Sequence, residues 1–254
     1  MIADRPPSID ILGARVDAVG GDEAIARIVD AAQAGRSTLV VTLGVEMVME
    51  ARRNAAFRSA IARFDLALCD TIGILLASRL RGGPLRERVT GIDLIQPLAR
   101  HSAERGDVRL YLLGGAPGIA DRAAVVLGAQ FPGVRIAGVR DGYFPIEEND
   151  AVATSIAKSG ANVLLAGLGS PKQEFWLETY LRATGCAVGI GVGGSFDVIA
   201  GTKRRAPRFM QRLGLEWFFR LVQEPSRWRR QLALPQFALA ATVEAFSRKG
   251  TMKR

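Results

Sequence analysis

The chain has only two cysteines, Cys69 and Cys186, and one histidine, His101, in 254 residues. Neither cysteine sits in a Cys-x-x-Cys or Cys/His spacing, which argues against a structural zinc site and fits a reducing compartment. A catalytic triad or metal cluster based on histidine would rest on one residue, in a stretch that reads as helical. No Asp-x-Asp pair occurs, so no carboxylate pair presents itself for a divalent cation. The acidic run Glu147-Glu148-Asn149-Asp150 reads as a solvated helix start. The phosphate-binding pattern GxxxxGK[ST] is missing. No apolar run reaches the roughly 18 residues needed to cross a bilayer. The opening MIADRPPSIDIL has no basic region followed by an apolar core, so no signal peptide is expected. There is no internal repeat and no low-complexity segment.

What is present is apolar surface: 48% of the residues are hydrophobic, enough for a sizeable core. Residues 8–17 alternate and turn at Gly13, as in a small hairpin. Residues 22–34 put Ile25, Ile28, Val29 and Ala32 on one helical face, with Asp22 as N-cap and Gly35 as stop. Short continuous apolar runs follow at 38–42, 66–69, 108–113, 134–139, 162–166 and 187–191. Such runs, alternating with helical periodicity, predict a Rossmann-like, doubly wound α/β fold with a mainly parallel sheet of about six strands. Ligands of such sheets bind at the carboxyl ends of the strands.

The pattern breaks near residue 202, which divides the chain into a catalytic-type unit, 1–202, and a helical appendage, 203–254. Pro207 and Pro225 are candidate helix starts there. The appendage holds 13 Lys or Arg against 3 Asp or Glu, whereas residues 1–202 hold 21 against 22. The whole positive excess therefore lies in the last fifth of the chain and points to an anionic partner: a membrane surface, a phosphate or a nucleic acid.

Four glycine-rich turns follow strand candidates: Gly114-Gly115-Ala116-Pro117-Gly118, Asp141-Gly142-Tyr143-Phe144, Gly167-Leu168-Gly169-Ser170-Pro171 and Gly191-Val192-Gly193-Gly194-Ser195. None completes the dinucleotide fingerprint, since Lys172 and Phe196 occupy the third glycine positions. Any one of them is a tight turn. Four at one sheet edge favour a phosphate-bearing ligand, met by free backbone N–H groups. Gln173, in the first turn of a helix opened by Pro171, can bind sugar hydroxyls or a uracil edge. Glu174 beside it is read equally as a functional group or as compensation of the helix dipole. Asp70 ends the strand candidate 66–69, where it is either a site carboxylate or a helix N-cap. Asp93 has the same two readings, with the cap favoured.

In order and combination these pieces resemble the WecG/TagA/CpsF family of glycosyltransferases over most of the chain. The matching parts are Thr42, CDTIG around Asp70, RVTGIDL (88–94), LLGGAPG (112–118), DGYF (141–144), GLGSPKQE (167–174), GVGGSFDVIAG (191–201), KRRAP (203–207) and GLEWFFRLVQEPSRWRR (214–230). The resemblance implies inverting transfer of a hexose-type sugar from a UDP-sugar to a polyprenyl-diphosphate-linked saccharide, in surface polysaccharide, exopolysaccharide or wall polymer synthesis. By the same resemblance Asp70 is the base, Thr42 the pocket threonine, and Arg88 and Gln173 further catalytic residues. The nucleotide-sugar would meet Gly114, Gly115, Tyr143, Gly169, Gln173, Gly193, Gly194, Phe196 and Asp197. Arg220, Arg227 and Arg230 would reach the diphosphates. Two positions depart from the family pattern: Gly44 replaces a usual Asn, and Thr71 a usual Gly.

The expected mechanism has Asp70 taking the proton of the acceptor hydroxyl as it attacks the anomeric carbon, while UDP leaves from the opposite face. Backbone N–H groups and arginines, with no metal or other cofactor, would stabilise the leaving diphosphate. The expected location is cytoplasmic, peripheral on the inner face of the bacterial plasma membrane, with the appendage docked on anionic lipid. Self-association into a homo-oligomer stays open. A nucleotide-binding Rossmann oxidoreductase is disfavoured by the failed fingerprint. A nucleic-acid binder, stacking bases on Trp217, Phe218, Phe219 and Trp228, leaves the glycine turns without a task. A non-catalytic relative is the third alternative, given Gly44.

Overall fold

The computed structural model describes residues 5–251, apart from the side chains of residues 212, 227 and 248–251. The chain opens with the predicted hairpin, β1 (Ser8–Ile11) and β2 (Ala14–Asp17), turning through Leu12 and Gly13 at positive φ. Asp17, buried at the end of β2, accepts the Ala67 amide at 2.8 Å and pairs with Arg15 at 3.1 Å, which ties the hairpin to the main sheet.

Helix α1 (Gly21–Gln33) has its N-cap at Gly20, two residues before the expected Asp22. The distant Glu87 explains this: its carboxylate takes the Gly21 amide at 2.7 Å, so no local cap is needed. The chain continues through β3 (Thr38–Leu43), α2 (Val45–Arg53), α3 (Ala55–Ala62), β4 (Leu66–Cys69), α4 (Ile72–Leu80), α5 (Gly91–Arg105) and β5 (Leu110–Gly114). Then come α6 (Ile119–Gln130), β6 (Ile136–Arg140), α7 (Asn149–Ser159), β7 (Val163–Gly167), α8 (Lys172–Tyr180), β8 (Val188–Gly191) and α9 (Ser195–Ile199).

The six strands β3–β8 form one parallel sheet in the order β4-β3-β8-β7-β5-β6, covered by helices on both faces as an α/β fold. One face packs against α1, α5, α6 and α9; the other against α2, α3, α4, α7 and α8. Burial differs between the two edges: β4, covered by the hairpin strand β2, is buried throughout, and β6 is not. All five residues of the inner strand β5 are buried, whereas all five of the edge strand β6 are only half-buried.

Beyond residue 202 lie α10 (Arg208–Arg212), α11 (Glu216–Gln223), α12 (Trp228–Gln231) and α13 (Ala233–Thr251). Helix α13 packs on α2 and α4. It buries Ala233, Phe237, Ala241 and Ala245, and Glu244 accepts from Arg81 at 3.0 Å. The C-terminal helices thus add side chains to the core of one sheet face. No helix among the described residues is long and apolar enough to cross a membrane.

Candidate active site

The carboxyl ends of β3, β4, β7 and β8 open into a cavity of about 310 Å³ that α11 and α12 cover. Its wall brings together Thr42, Asp70, Arg88, Gly169, Gln173, Gly193, Gly194, Arg220 and Arg230. This is where a parallel sheet places its ligand. Thr42 sits near the end of β3 and donates its hydroxyl to the Gly191 carbonyl at 3.2 Å, joining two of the strand ends.

Asp70 follows β4 directly, and its amide is held by the Leu43 carbonyl at 2.9 Å. It does not cap α4; Thr71 occupies that position. No described residue donates a hydrogen bond to its carboxylate. Burial pushes its pKa up from 3.8 to about 6; nearby Glu216 and Asp93 add to the rise, and Arg220 and Arg88 oppose it. A carboxylate with free lone pairs and a pKa near neutrality suits proton abstraction.

Arg88 is fixed by its neighbour: the Val89 amide donates to the Cys69 carbonyl at 2.7 Å, so the segment before α5 runs across the end of β4. The C-terminal segment approaches from the other side. Gly214, at φ 73°, lies so close to α4 that a Cβ would stand 2.7 Å from the Ile72 side chain. That approach sets Glu216 and Arg220 of α11 over Asp70. Glu216 is buried and bridges the two arginines, to Arg88 at 3.4 Å and to Arg220 at 2.7 Å.

On the far wall Gln173 and Glu174 open α8. Both are buried, Glu174 completely. The Gln173 amide is oriented by its partners: its NH2 donates to Glu174 at 2.7 Å, and its carbonyl accepts the Gly193 amide at 3.1 Å. It therefore braces the turn after β8 and keeps one N–H for the cavity. Burial raises the Glu174 pKa, against the Gln173 and Ser170 hydrogen bonds. Its second oxygen has no partner of ordinary geometry among the described residues. Such a completely buried carboxyl does not serve as a solvated helix-dipole partner.

Several expected contacts lie elsewhere. Gly114 and Gly115 do not reach the cavity. Gly114 adopts φ 139°, and a Cβ there would stand 2.3 Å from the Gly167 backbone, so only glycine lets this turn pack one strand end on the next. Tyr143 is 76% exposed and outside the cavity wall; its turn is pinned to α8 through Lys172, which donates to the Gly142 carbonyl at 3.2 Å. Phe196 is wholly enclosed in the core, with its ring beneath Gly167. Asp197 is turned to Lys203, at 3.5 Å, and does not line the cavity. Arg230 does line it, and the Arg227 side chain lies outside the described residues. Asp93 closes a capping box, accepting from the Thr90 amide and hydroxyl, and also pairs with Arg205 at 2.8 Å.

Gly44 caps α2 in extended backbone, φ −101° and ψ 165°, so its conformation does not require glycine. A Cβ there would lie 3.6 Å from Asp70 Oδ2. Glycine thus leaves open space directly beside that carboxylate. Glu216 is the site residue that motif reading passes over. Its signal is an acid in a strongly basic segment, spaced i,i+4 from Arg220. No group of three His, Cys, Asp or Glu able to hold a metal ion occurs among the described residues.

The N-acetylglucosaminyldiphosphoundecaprenol N-acetyl-beta-D-mannosaminyltransferase of Bacillus spizizenii is 36% identical over 205 residues, which cover 81% of this chain and 79% of the relative. The enzyme of the same name from Bacillus subtilis is 33% identical over 211 residues, 83% of this chain and 81% of the relative. Residues 9–251 match one family throughout, and the chain belongs to it: the glycosyl transferase WecG/TagA/CpsF family.

Proposed function

We propose that the protein transfers one hexose-type residue, with inversion, from a UDP-sugar to a saccharide carried on a polyprenyl diphosphate. The two relatives are named for transfer of N-acetylmannosamine to N-acetylglucosaminyldiphosphoundecaprenol, which supports an acceptor of that chemistry here. The observation that carries the mechanism is the Asp70 carboxylate, without a hydrogen bond on the cavity wall, beside Arg88 and Arg220. In this reading Asp70 takes the proton from the attacking acceptor hydroxyl. The C1–O bond to UDP breaks on the opposite face, and UDP departs with the bonding pair. Arg88, Arg220, Arg230 and the backbone N–H of Gly194, in the turn that Gln173 braces, neutralise the charge that builds on the diphosphate, with no metal ion. Gly44 makes room beside the base and so tunes which sugar is accepted.

Residues 203–254 serve in this reading as a unit that completes the site and docks the enzyme on the cytoplasmic face of the membrane. Of the sixteen exposed large apolar side chains among the described residues, eleven lie between 209 and 246, Phe209, Trp217, Phe218 and Trp228 among them. They sit in the segment that holds the whole positive excess of the chain, a combination suited to anionic lipid. Incubation with UDP-N-acetylmannosamine and a short-chain prenyl-diphosphate N-acetylglucosamine tests the reading. A product heavier by one N-acetylhexosamine is expected. If a panel of UDP-sugars gives no such product with folded protein, the reading fails.

A further inference from the structure

The strongest unassigned feature is a carboxylate among the arginines meant for a diphosphate. Glu216 is 8% exposed and stands on the first turn of α11, in a cavity wall that also holds Arg88, Arg220 and Arg230. Its two oxygens are divided between two parts of the chain. Oε2 meets Arg88, which belongs to the segment before α5, at 3.4 Å, and Oε1 meets Arg220, on α11, at 2.7 Å. A lone helix needs only one such i,i+4 pair; the second crosses from the C-terminal segment to the sheet unit.

We propose that Glu216 is a positioning residue for the transfer: it holds Arg88 and Arg220 as one cationic pair over Asp70 in the ligand-free enzyme and yields that pair to the substrate's diphosphate. The inference rests on the function proposed above. A carboxylate and a phosphate oxygen compete for the same guanidinium donors, and a diphosphate offers more acceptors and more charge. Glu216 therefore keeps two arginines ordered and partly neutralised until the anion arrives. The arginine pair then needs little reorganisation when charge builds on the leaving group.

Glu216 also acts on the base. The charged groups bearing on Asp70 are Arg220 and Glu216 from α11, Arg88 from the segment before α5 and Asp93 from α5; Asp70 in turn raises the pKa of the adjacent Cys69 thiol, and Glu46 of α2 acts on Arg220. Glu216 raises the Asp70 pKa, while both arginines lower it. Removing the Glu216 charge leaves the arginines facing Asp70 without their shared counter-ion.

The test is Glu216→Gln in the full-length protein, with Glu216→Asp beside it. Glu216→Gln should move the acid limb of the kcat–pH profile down by about half a pH unit or more. Glu216→Asp retains the charge and should leave the limb where the wild type has it. UDP and a short-chain prenyl diphosphate are titrated separately. Loss of the competing carboxylate in Glu216→Gln should tighten at least one of them by about fivefold. Tightening of UDP alone assigns the arginine pair to the donor, and tightening of the prenyl diphosphate alone assigns it to the acceptor. Unchanged or weaker binding of both ligands, or an unmoved acid limb, overturns the proposal. If the wild type transfers no sugar, the proposed function fails, and the Asp70 pKa is still read from the stability difference between wild type and Asp70→Asn as pH varies. That transition should fall in the Glu216→Gln background; its staying in place overturns the role of Glu216 independently. Should Glu216→Gln not fold, Glu216→Asp decides, since its shorter reach must loosen the hold on Arg88 and Arg220 and tighten ligand binding in the same direction.

Discussion

Replacing Asp70 by Asn should make the protein more stable and nearly inactive at once. The carboxylate is half-buried on the cavity wall, accepts no hydrogen bond from a described residue, and has its pKa raised by burial from 3.8 to about 6. A carboxyl whose folded pKa lies above its unfolded one binds its proton more tightly when folded. Its contribution to stability is complete below about pH 4 and is lost as pH rises through about 6. The gap between 3.8 and about 6 corresponds to about 3 kcal/mol above pH 6. Asn carries no charge and escapes that loss. Asp70→Asn should therefore unfold at higher denaturant than wild type at pH 8, by up to about 3 kcal/mol, or up to roughly 6–12 °C in Tm for a chain of this size. The advantage should shrink through pH 6 and vanish near pH 4. Because the base acts on the acceptor hydroxyl, kcat should fall by about 10²–10⁴-fold while UDP affinity stays nearly unchanged. Denaturant titrations at pH 4, 6 and 8, with a transfer assay at pH 8, decide it. Equal stability of the two proteins at pH 8, or near wild-type turnover of the variant, refutes the reasoning.

The pH–rate profile of the wild type should show an acid limb with an apparent pKa near 6, the value that burial gives Asp70, and a limb near 4 would mean a solvated base. Transfer should persist in EDTA, measured by product formation; complete loss restored by Mg²⁺ or Mn²⁺ would reveal a metal site. Gln173→Ala strands the buried Glu174 oxygen and the Gly193 amide. It should cost about 2 kcal/mol of stability in denaturant titration and raise the donor KM; an unaltered KM would show that the 193–194 turn needs no brace. Binding to anionic vesicles in flotation should be strong at low salt and weaken steeply at high salt, and salt-independent binding would point to apolar insertion alone.

The sheet was legible because a strand covered on both faces reads as a short continuous apolar run, and β3, β4, β5, β7 and β8 all do. Thr42, Asp70, Gln173 and the Gly193-Gly194 turn all line the cavity; Asp70 and the glycine turns could be placed there because strand ends are where a parallel sheet binds ligands, whereas Thr42 is singled out only by the family resemblance. Glycine was the less reliable guide. Gly114 and Gly193 look alike in sequence, yet Gly114 exists to let a backbone pass at close range, whereas Gly193 lines the cavity. Phe196 fell in the same motif as the turn glycines, but one residue of helix carries its ring into the core. The cap of α1 was missed because Glu87 supplies it from 66 positions away. Glu216 was missed for the same reason, since its partner Arg88 is 128 positions distant. Local pattern contains neither contact.

The most direct measurement is the structure of the reaction product from an α-linked UDP-sugar and a prenyl-diphosphate saccharide, by mass and by the one-bond C1–H1 coupling at the new anomeric centre in NMR. Direct attack activated by Asp70 predicts one added sugar, joined through a β linkage, formed by wild type and absent with Asp70→Asn. An α-linked product, or a β-linked one formed as fast by the variant, would contradict it.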